Sequence, residues 1–545
     1  MVRGGIKGGK PIVLRSSELA KIVPRGGRYG YDLIAHVGRR TFIDGWRVRE
    51  IQQDLAHANV LAHISPTSIH DIQQKFLFYP GAVHRQASPV LRDYFNARGD
   101  NTWLIDGTLE PGTAVFFGIK EAHEGILLNS WKIPTENEDD IAGCLSEAEN
   151  EYGRPERVLH DLSDRMAKAC DRALNGVRRL VCHYHFVRDV GDGLYKEPQE
   201  ALSKRLRAMK LQLRLKDQRS GQTQRLRKAI EQPEVSLVLT DLLNGKQIEN
   251  GWSETLGREV VLAFHGWMLD YRRDGKRQGF PFDPYLLYFH RRIAKLYGEL
   301  KQMLCLEVIR CKAPRVLINF ANELEKYLKD TSIIAASTLY EKAFDIFSRF
   351  REVLRLNSKG PSPMSEAYEL SPGEQRQIHE SIHELNNAFQ KDIVICSDPK
   401  QRKLLEIAKI HLERYAPYLL PNGSNGSRQE PRVRTTNDLE THWRSGKRVR
   451  RQTNGRRKLT RDFNALPAEF MLVPNLDKPT YVKLVLGSLD QLPSKFAQAG
   501  KTVGPYTHWR RRTRPTGIGR IPRKLLRKEN FVENLIEVYH SQCQL

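Results

Sequence analysis

The sequence predicts an α/β protein: a sheet-bearing core interrupted by a large all-α insertion, with a helical, helix-turn-helix-like region in front of it. Three observations carry this. Residues 102–133 hold three strand-like runs separated by turn residues. Residues from about 190 to 420 are long, charged, amphipathic stretches with few strand signals. Two aspartates end apolar strand-like runs, and a glutamate opens an arginine-loaded segment.

The chain has 545 residues and a formal charge of +24, so its length calls for several domains or one domain with large insertions. Its apolar content, 40%, is enough for real cores and excludes a disordered polycation. The positive balance points to an anionic partner, nucleic acid before a membrane surface. No apolar run is long enough to span a bilayer, and residues 1–10 lack the apolar core of a signal peptide. These features imply a cytoplasmic, nucleoid-associated protein with no membrane partner. Seven scattered cysteines without C-x-x-C spacing read as reduced, mostly buried thiols.

Residues 1–27, rich in Gly, Arg and Lys, are expected to be flexible. Residues 28–95 form the helical region. One helix covers 45–55. A second is capped by Ser65, with Pro66 in its first position. Helix, short connection and capped polar helix outline a helix-turn-helix that would offer Thr67, Ser68, His70, Gln73, Gln74 and Lys75 to DNA. An ordinary helical domain has the same outline.

The core's first part is 96–190. Strands at 102–107, 113–120 and 125–133 form an antiparallel meander, broken at Glu110-Pro111-Gly112 and His123-Glu124-Gly125. A helix at 137–152, a strand at 157–160, a helix at 164–174 and a strand at 179–182 follow. That order is the order of the ribonuclease H-like fold, whose first and fourth strands lie side by side. Asp106 and Asp161 would then meet at the sheet centre.

Residues 191–427 form the helical insertion, with helices at 202–215, 284–309, 316–328, 339–356 and 375–389. Breaks fall at Pro284, at 358–363 and at Ser371-Pro372-Gly373. Residues 421–427 read as a flexible linker. The core returns at 428–475, and 476–545 is a basic C-terminal region.

A phosphodiester repels nucleophiles. Two divalent ions roughly 4 Å apart relieve that repulsion at the attacking and leaving oxygens. Mg2+ or Mn2+ takes hard oxygen ligands. Asp106, held rigidly on a central strand, is the candidate to bridge both ions; Asp161 and Glu440 would complete the sites. Asp164 is a rival for the second position, and Asp161 has the alternative role of capping the next helix. Glu440 opens a helix over 437–451, for which Thr435 or Thr436 is the candidate cap. One face carries Arg444, Lys447, Arg448 and Arg451, with Arg450, Arg456, Arg457 and Lys458 nearby. Such dense like charge after an acid favours a phosphate-contacting helix over a merely solvated face. A second basic segment, 509–528, is either a DNA-holding element or a tail without a set partner.

Two stretches carry a family resemblance. One is Leu159-His160-Asp161, then Ala167-Lys168-Ala169 and Cys182-His183-Tyr184-His185. The other is Thr435-Thr436-Asn437-Asp438-Leu439-Glu440-Thr441-His442-Trp443-Arg444, then Thr453-Asn454-Gly455. They resemble the DDE transposases of bacterial and archaeal insertion sequences related to the Mutator-like class, over about 100–190 and 430–460. Leu162 stands where the family commonly has glycine. The resemblance implies catalytic, metal-binding roles for Asp106, Asp161 and Glu440. It implies supporting roles for Cys182 and His185, in a C-x-x-H motif, and for Asn437. Zinc ligation by Cys182 and His185, with His183 or His160, is the less favoured reading, because no second Cys-containing pair at ligand spacing accompanies the cluster.

A DNA transposase acting as a homo-oligomer on the element's terminal inverted repeats and on target DNA is therefore expected, with two Mg2+ or Mn2+ ions. The alternatives are a catalytically inactive, transposase-derived DNA-binding protein and a nuclease that cuts without joining.

Overall fold

The computed structural model describes residues 16–58, 63–99, 101–230, 254–305, 314–356, 372–419 and 433–502, two short strands before them and isolated residues elsewhere. The linker at 421–427, the break at 358–363 and the basic segment at 509–528 lie outside the described residues. The chain divides into two compact units. One joins Met1–Arg179 to Thr436–Leu545, and the other is Leu180–Thr435.

In the first unit, β1 (Val2–Gly4) and β2 (Ile12–Leu14) pair antiparallel inside the stretch read as flexible. Helix α1 (Ser17–Ile22) follows, capped by Ser16. Helices α2 (Tyr31–Phe42) and α3 (Val48–His57) come next. Helix α4 (Pro66–Gln86) is capped as its sequence predicts: Ser65 Oγ accepts from Ser68 N at 3.1 Å, with Pro66 in the first turn. It runs well past the polar stretch read as a recognition helix. Ile69, Ile72 and Phe76 of α4 are buried with Ile34, Val37 and Phe42 of α2 and Ile51 and Leu55 of α3. Gly38 allows the close approach, since a β-carbon there would overlap the Phe76 ring. Helix α5 (Ser88–Arg98) leads to the sheet.

Strands β3 (Thr102–Thr108), β4 (Val115–Glu121) and β5 (Leu127–Ile133) are the expected antiparallel meander. Helix α6 (Glu138–Tyr152) starts at an Asn137 cap. Then come β6 (Arg157–His160), α7 (Asp164–Ala173), capped by Ser163, and β7 (Arg178–Val181). The strand order is β5-β4-β3-β6-β7, with β3 and β6 parallel, so the first and fourth strands after α5 are neighbours as the sequence reading required. The division between the units falls within β7.

The second unit is helical: α8 (His183–Ala208), α9 (Leu211–Ile230), α10 (Glu254–Leu269), α11 (Tyr285–Cys305), α12 (Arg315–Leu328), α13 (Thr331–Val353), α14 (Pro372–Ile395) and α15 (Pro399–Leu419). The boundary drawn at 190/191 falls inside α8, which continues unbroken through it. The helix expected at 202–215 is instead two, divided near Lys210, which takes a left-handed φ of 51°.

The chain returns to the first unit with α16 (Asn437–Asn454), α17 (Thr460–Ala465), a 3₁₀ segment (Ala468–Asp477) and α18 (Leu492–Thr502). Helix α18 lies in the region read as a basic C-terminal region, yet its Phe496 is buried against Tyr79 (5.1 Å between ring centres) and Phe76 (5.8 Å). The described part of the C-terminal region is thus core for the N-terminal helices. Among the described residues no helix is long and apolar enough to cross a membrane.

Candidate active site

Strand β3 is buried from Thr102 to Ile105 and emerges at Asp106. Its register with β6 pairs Trp103 with Val158 and Leu104 with Leu159. Continuing that register by two residues brings Asp106 level with Asp161, one residue past the end of β6. Neighbouring strands lie about 4.8 Å apart, so the two aspartates stand at the same level along adjacent strands. Asp164, the rival, is the exposed first residue of α7, where a carboxylate suits the helix N-terminus. Asp161 Oδ1 accepts from Ser163 N at 2.8 Å, which shapes the turn into α7. The cap itself is the Ser163 hydroxyl.

Helix α16 brings the third acid. Its N-cap is Thr436, whose side chain makes no capping bond; the Thr436 carbonyl accepts from Glu440 N at 3.0 Å instead. Three contacts give the direction of the helix. Lys120 Nζ on β4 meets Asp438 Oδ2 at 2.6 Å and the Asp438 carbonyl at 3.2 Å. Trp443 Nε1 donates to Asp106 Oδ2 at 3.1 Å. Lys447 Nζ donates to the Leu109 carbonyl at 2.9 Å. Lys120 is opposite Leu104 in the sheet, so successive anchors on α16 fall level with position 104, at Asp106 and at Leu109 just past the end of β3. The helix runs beside β3 in the same direction. Glu440 sits between the first two anchors and shares a helical stripe with Trp443 (i+3) and Lys447 (i+7), the stripe that meets β3. Its Oε2 takes a hydrogen bond from Arg444 at 3.3 Å.

Lys120 is 1% exposed, and burial pulls its pKa below the ordinary lysine value, opposed by Asp438. His442, beside the site, donates Nε2–H to the Met471 carbonyl at 2.6 Å; burial first, then Lys120, lowers it to about 3. Burial, then Arg179, takes His160 to about 3.

Sequence reasoning missed Glu136. Its carboxylate lies against Gly107, where a β-carbon would overlap Oε1. Burial and then Asp161 raise its pKa, while Arg165 opposes them. Glu136 is thus a further carboxylate near Asp161, against the end of β3, hidden because it sits in the connection after β5. Trp443 and Gly118 were also missed. Gly118 faces Asp106 in the sheet, and a β-carbon there would be 2.5 Å from the Trp443 ring. A glycine inside the apolar run Phe116-Phe117-Gly118-Ile119 is a usable signal of such close approach.

The other expected residues divide. Arg444 (side chain 72% exposed), Arg448, Arg456, Arg457 and Lys458 face solvent. Arg451 is exposed and meets Glu110 at 3.6 Å. Lys447 is instead 17% exposed, held by the Leu109 carbonyl and by Glu110 at 3.4 Å. Arg450 is packed over Phe42 and paired with Asp462 at 3.0 Å. Helical geometry explains both: the two cations lie toward the protein side of α16. On α4, Gln73 is 7% exposed and donates to Thr41 Oγ1 at 2.9 Å, so it packs α4 onto α2 rather than facing outward. Lys75 pairs with Asp71 at 2.7 Å; Ser68 and Gln74 are half-buried. Asn437 is the first residue of α16.

Cys182 and His185 belong to the second unit, where Cys182 is the buried N-cap of α8 and His185 packs edge-on against Tyr184. Cys144 and Cys170 are buried too, and burial pushes both thiols up to about 12.

Carboxylate oxygens are the right donors for a hard divalent cation. Among the described residues, however, no group of three or more His, Cys, Asp or Glu side chains is gathered closely enough to hold a metal ion. Each acid instead has a protein donor: Trp443 for Asp106, the Ser163 amide for Asp161 and Arg444 for Glu440. Comparison with protein-family models and with curated proteins gives no match for this chain.

Proposed function

We propose that this chain is a DDE-type DNA transposase, with a ribonuclease H-like core interrupted by the helical second unit. The observation that carries the reading is the convergence of two strands and one helix. Asp106 lies near the end of β3 and Asp161 just past the end of its parallel neighbour β6, and α16 lies along β3 with Glu440 on the facing stripe.

In this reading Asp106, Asp161 and Glu440 would hold two Mg2+ or Mn2+ ions, which would supply the charge that activates an attacking oxygen and stabilises a leaving one. Trp443 orients Asp106. The Lys120–Asp438 pair fixes the rise of α16, and hence the depth at which Glu440 enters. Arg444 and Arg448, exposed beyond the acids, take DNA phosphates, and the N-terminal helices contribute to recognition of the element's terminal repeats. The protein works as a homo-oligomer on paired DNA ends, at the nucleoid.

One observation favours a second reading, a transposase-derived DNA-binding protein without catalysis: the acids are engaged by protein donors and are not gathered around one point. The test is a reaction of the full chain with duplexes from the DNA flanking its reading frame. A transposase cuts them with Mg2+ or Mn2+ and joins the freed 3′-hydroxyl to a plasmid. Cutting without joining points to a nuclease. Tight binding without any cut establishes the second reading.

A further inference from the structure

Helix α14 carries a pair of imidazoles with no part in the proposed chemistry. The run His379-Glu380-Ser381-Ile382-His383 places two histidines four residues apart on one helix face. Ile378, Ile382, Leu385 and Phe389 are buried and define the inward face of α14. At 100° per residue, His379 and His383 fall on the flank of that face; His379 is half-buried and His383 exposed. Their ring centres are 4.9 Å apart at an interplanar angle of 66°. No hydrogen bond among the described residues holds either ring.

We propose that His379 and His383 chelate a borderline divalent cation, Zn2+, Ni2+ or Cu2+, on the flank of α14. Imidazole nitrogen is the donor these ions prefer, and a helical i, i+4 pair presents two such donors to one ion. The same spelling, H-E-x-x-H, occurs in zinc hydrolases, which need a third protein ligand. Here no third His, Cys, Asp or Glu joins the pair among the described residues. Glu380 is turned about 100° round the helix from His379. The remaining coordination positions go to water, so the site is an open, exchangeable chelate and not a hydrolytic centre. It stands apart from the acid face in ion preference: carboxylates take hard Mg2+ or Mn2+, and imidazoles take the borderline ions.

The test is calorimetric titration of the untagged full chain with Ni2+ and with Zn2+. One equivalent is expected that excess Mg2+ does not displace. His379→Ala and His383→Ala should each weaken it about tenfold or more, since losing a ligand costs at least what losing a ligand's hydrogen-bond partner does. The double variant should lose that equivalent while its thermal melt stays unchanged. The proposal is overturned if the double variant binds the same number of ions at the same affinity, or if the wild-type chain binds none.

Discussion

The indole of Trp443 reaches the carboxylate of Asp106, 3.1 Å from Nε1 to Oδ2, across a gap left by the missing side chain of Gly118. Position 118 is directly opposite Asp106 on β4. A methyl group there meets a ring that is 3% exposed and has no room to retreat. Gly118→Ala is expected to destabilise the protein by about 1–3 kcal/mol, the usual cost of overpacking. It should also abolish DNA cleavage. Trp443→Phe removes the donor together with one of the two fused rings, so it should impair cleavage and also lower stability as a buried large-to-small change. Undiminished cleavage by the folded Trp443→Phe variant would show that Trp443 only packs.

Lys120 and Asp438 form another anchor of α16, one turn before Trp443. Removing one partner of a buried pair costs more than removing both, because the survivor stays desolvated; full burial gives about 3–5 kcal/mol, and Asp438, partly exposed, reduces that. Lys120→Met should therefore destabilise strongly, and Lys120→Met with Asp438→Asn should fall well short of the sum. Urea denaturation of the three variants reads the coupling. Strict additivity would remove the pair from the account.

His84 donates Nε2–H to the Leu128 carbonyl at 2.6 Å and faces the Tyr481 hydroxyl at 3.1 Å. Burial, with a smaller contribution from Arg85, lowers its pKa from 6.5 to about 4. The unfolded chain takes up a proton below pH 6.5 that the folded protein refuses until about pH 4. Stability from this group is therefore complete above pH 6.5 and is lost as pH falls through that window. One pKa unit is worth about 1.4 kcal/mol, so the loss amounts to about 3 kcal/mol. Chemical denaturation at pH 7 and pH 4.5 should show a smaller difference for His84→Gln than for the wild-type chain.

On the proposed DNA interface, Arg444→Ala and Arg448→Ala should each lower the salt dependence of DNA binding by about one unit of slope. Lys447→Ala should act mainly on stability, because Lys447 is tied to Leu109 and Glu110. Glu110→Gln loosens the hold on Lys447 and Arg451 and is expected to tighten DNA binding. Fluorescence anisotropy over a salt series separates these outcomes.

The sheet was legible because its signals are local. Alternating apolar residues, turn residues such as Glu110-Pro111-Gly112 and a short run ending at His160 fix the strands. The Ser65-Pro66 cap was legible for the same reason. What escaped depends on distant partners. Gln73 reads as a polar, outward residue until Thr41 is seen to receive its amide. Lys447 and Arg450 look like Arg444 in sequence, but helical rotation turns them toward Glu110 and Asp462. Phe496 sits in a basic context and becomes core only through Phe76 and Tyr79. Glu136 is one acid among many until the fold lays it against Gly107.

The central claim is that Asp106, Asp161 and Glu440 act together as one hard-cation centre. The most direct measurement is Mn2+ titration of the full chain, followed by calorimetry, in the wild-type protein and in Asp106→Asn, Asp161→Asn and Glu440→Gln. The account predicts two bound ions in the wild type and weakened binding in every variant, most of all in Asp106→Asn. Wild-type binding retained in all three variants, or no binding in any, would contradict it.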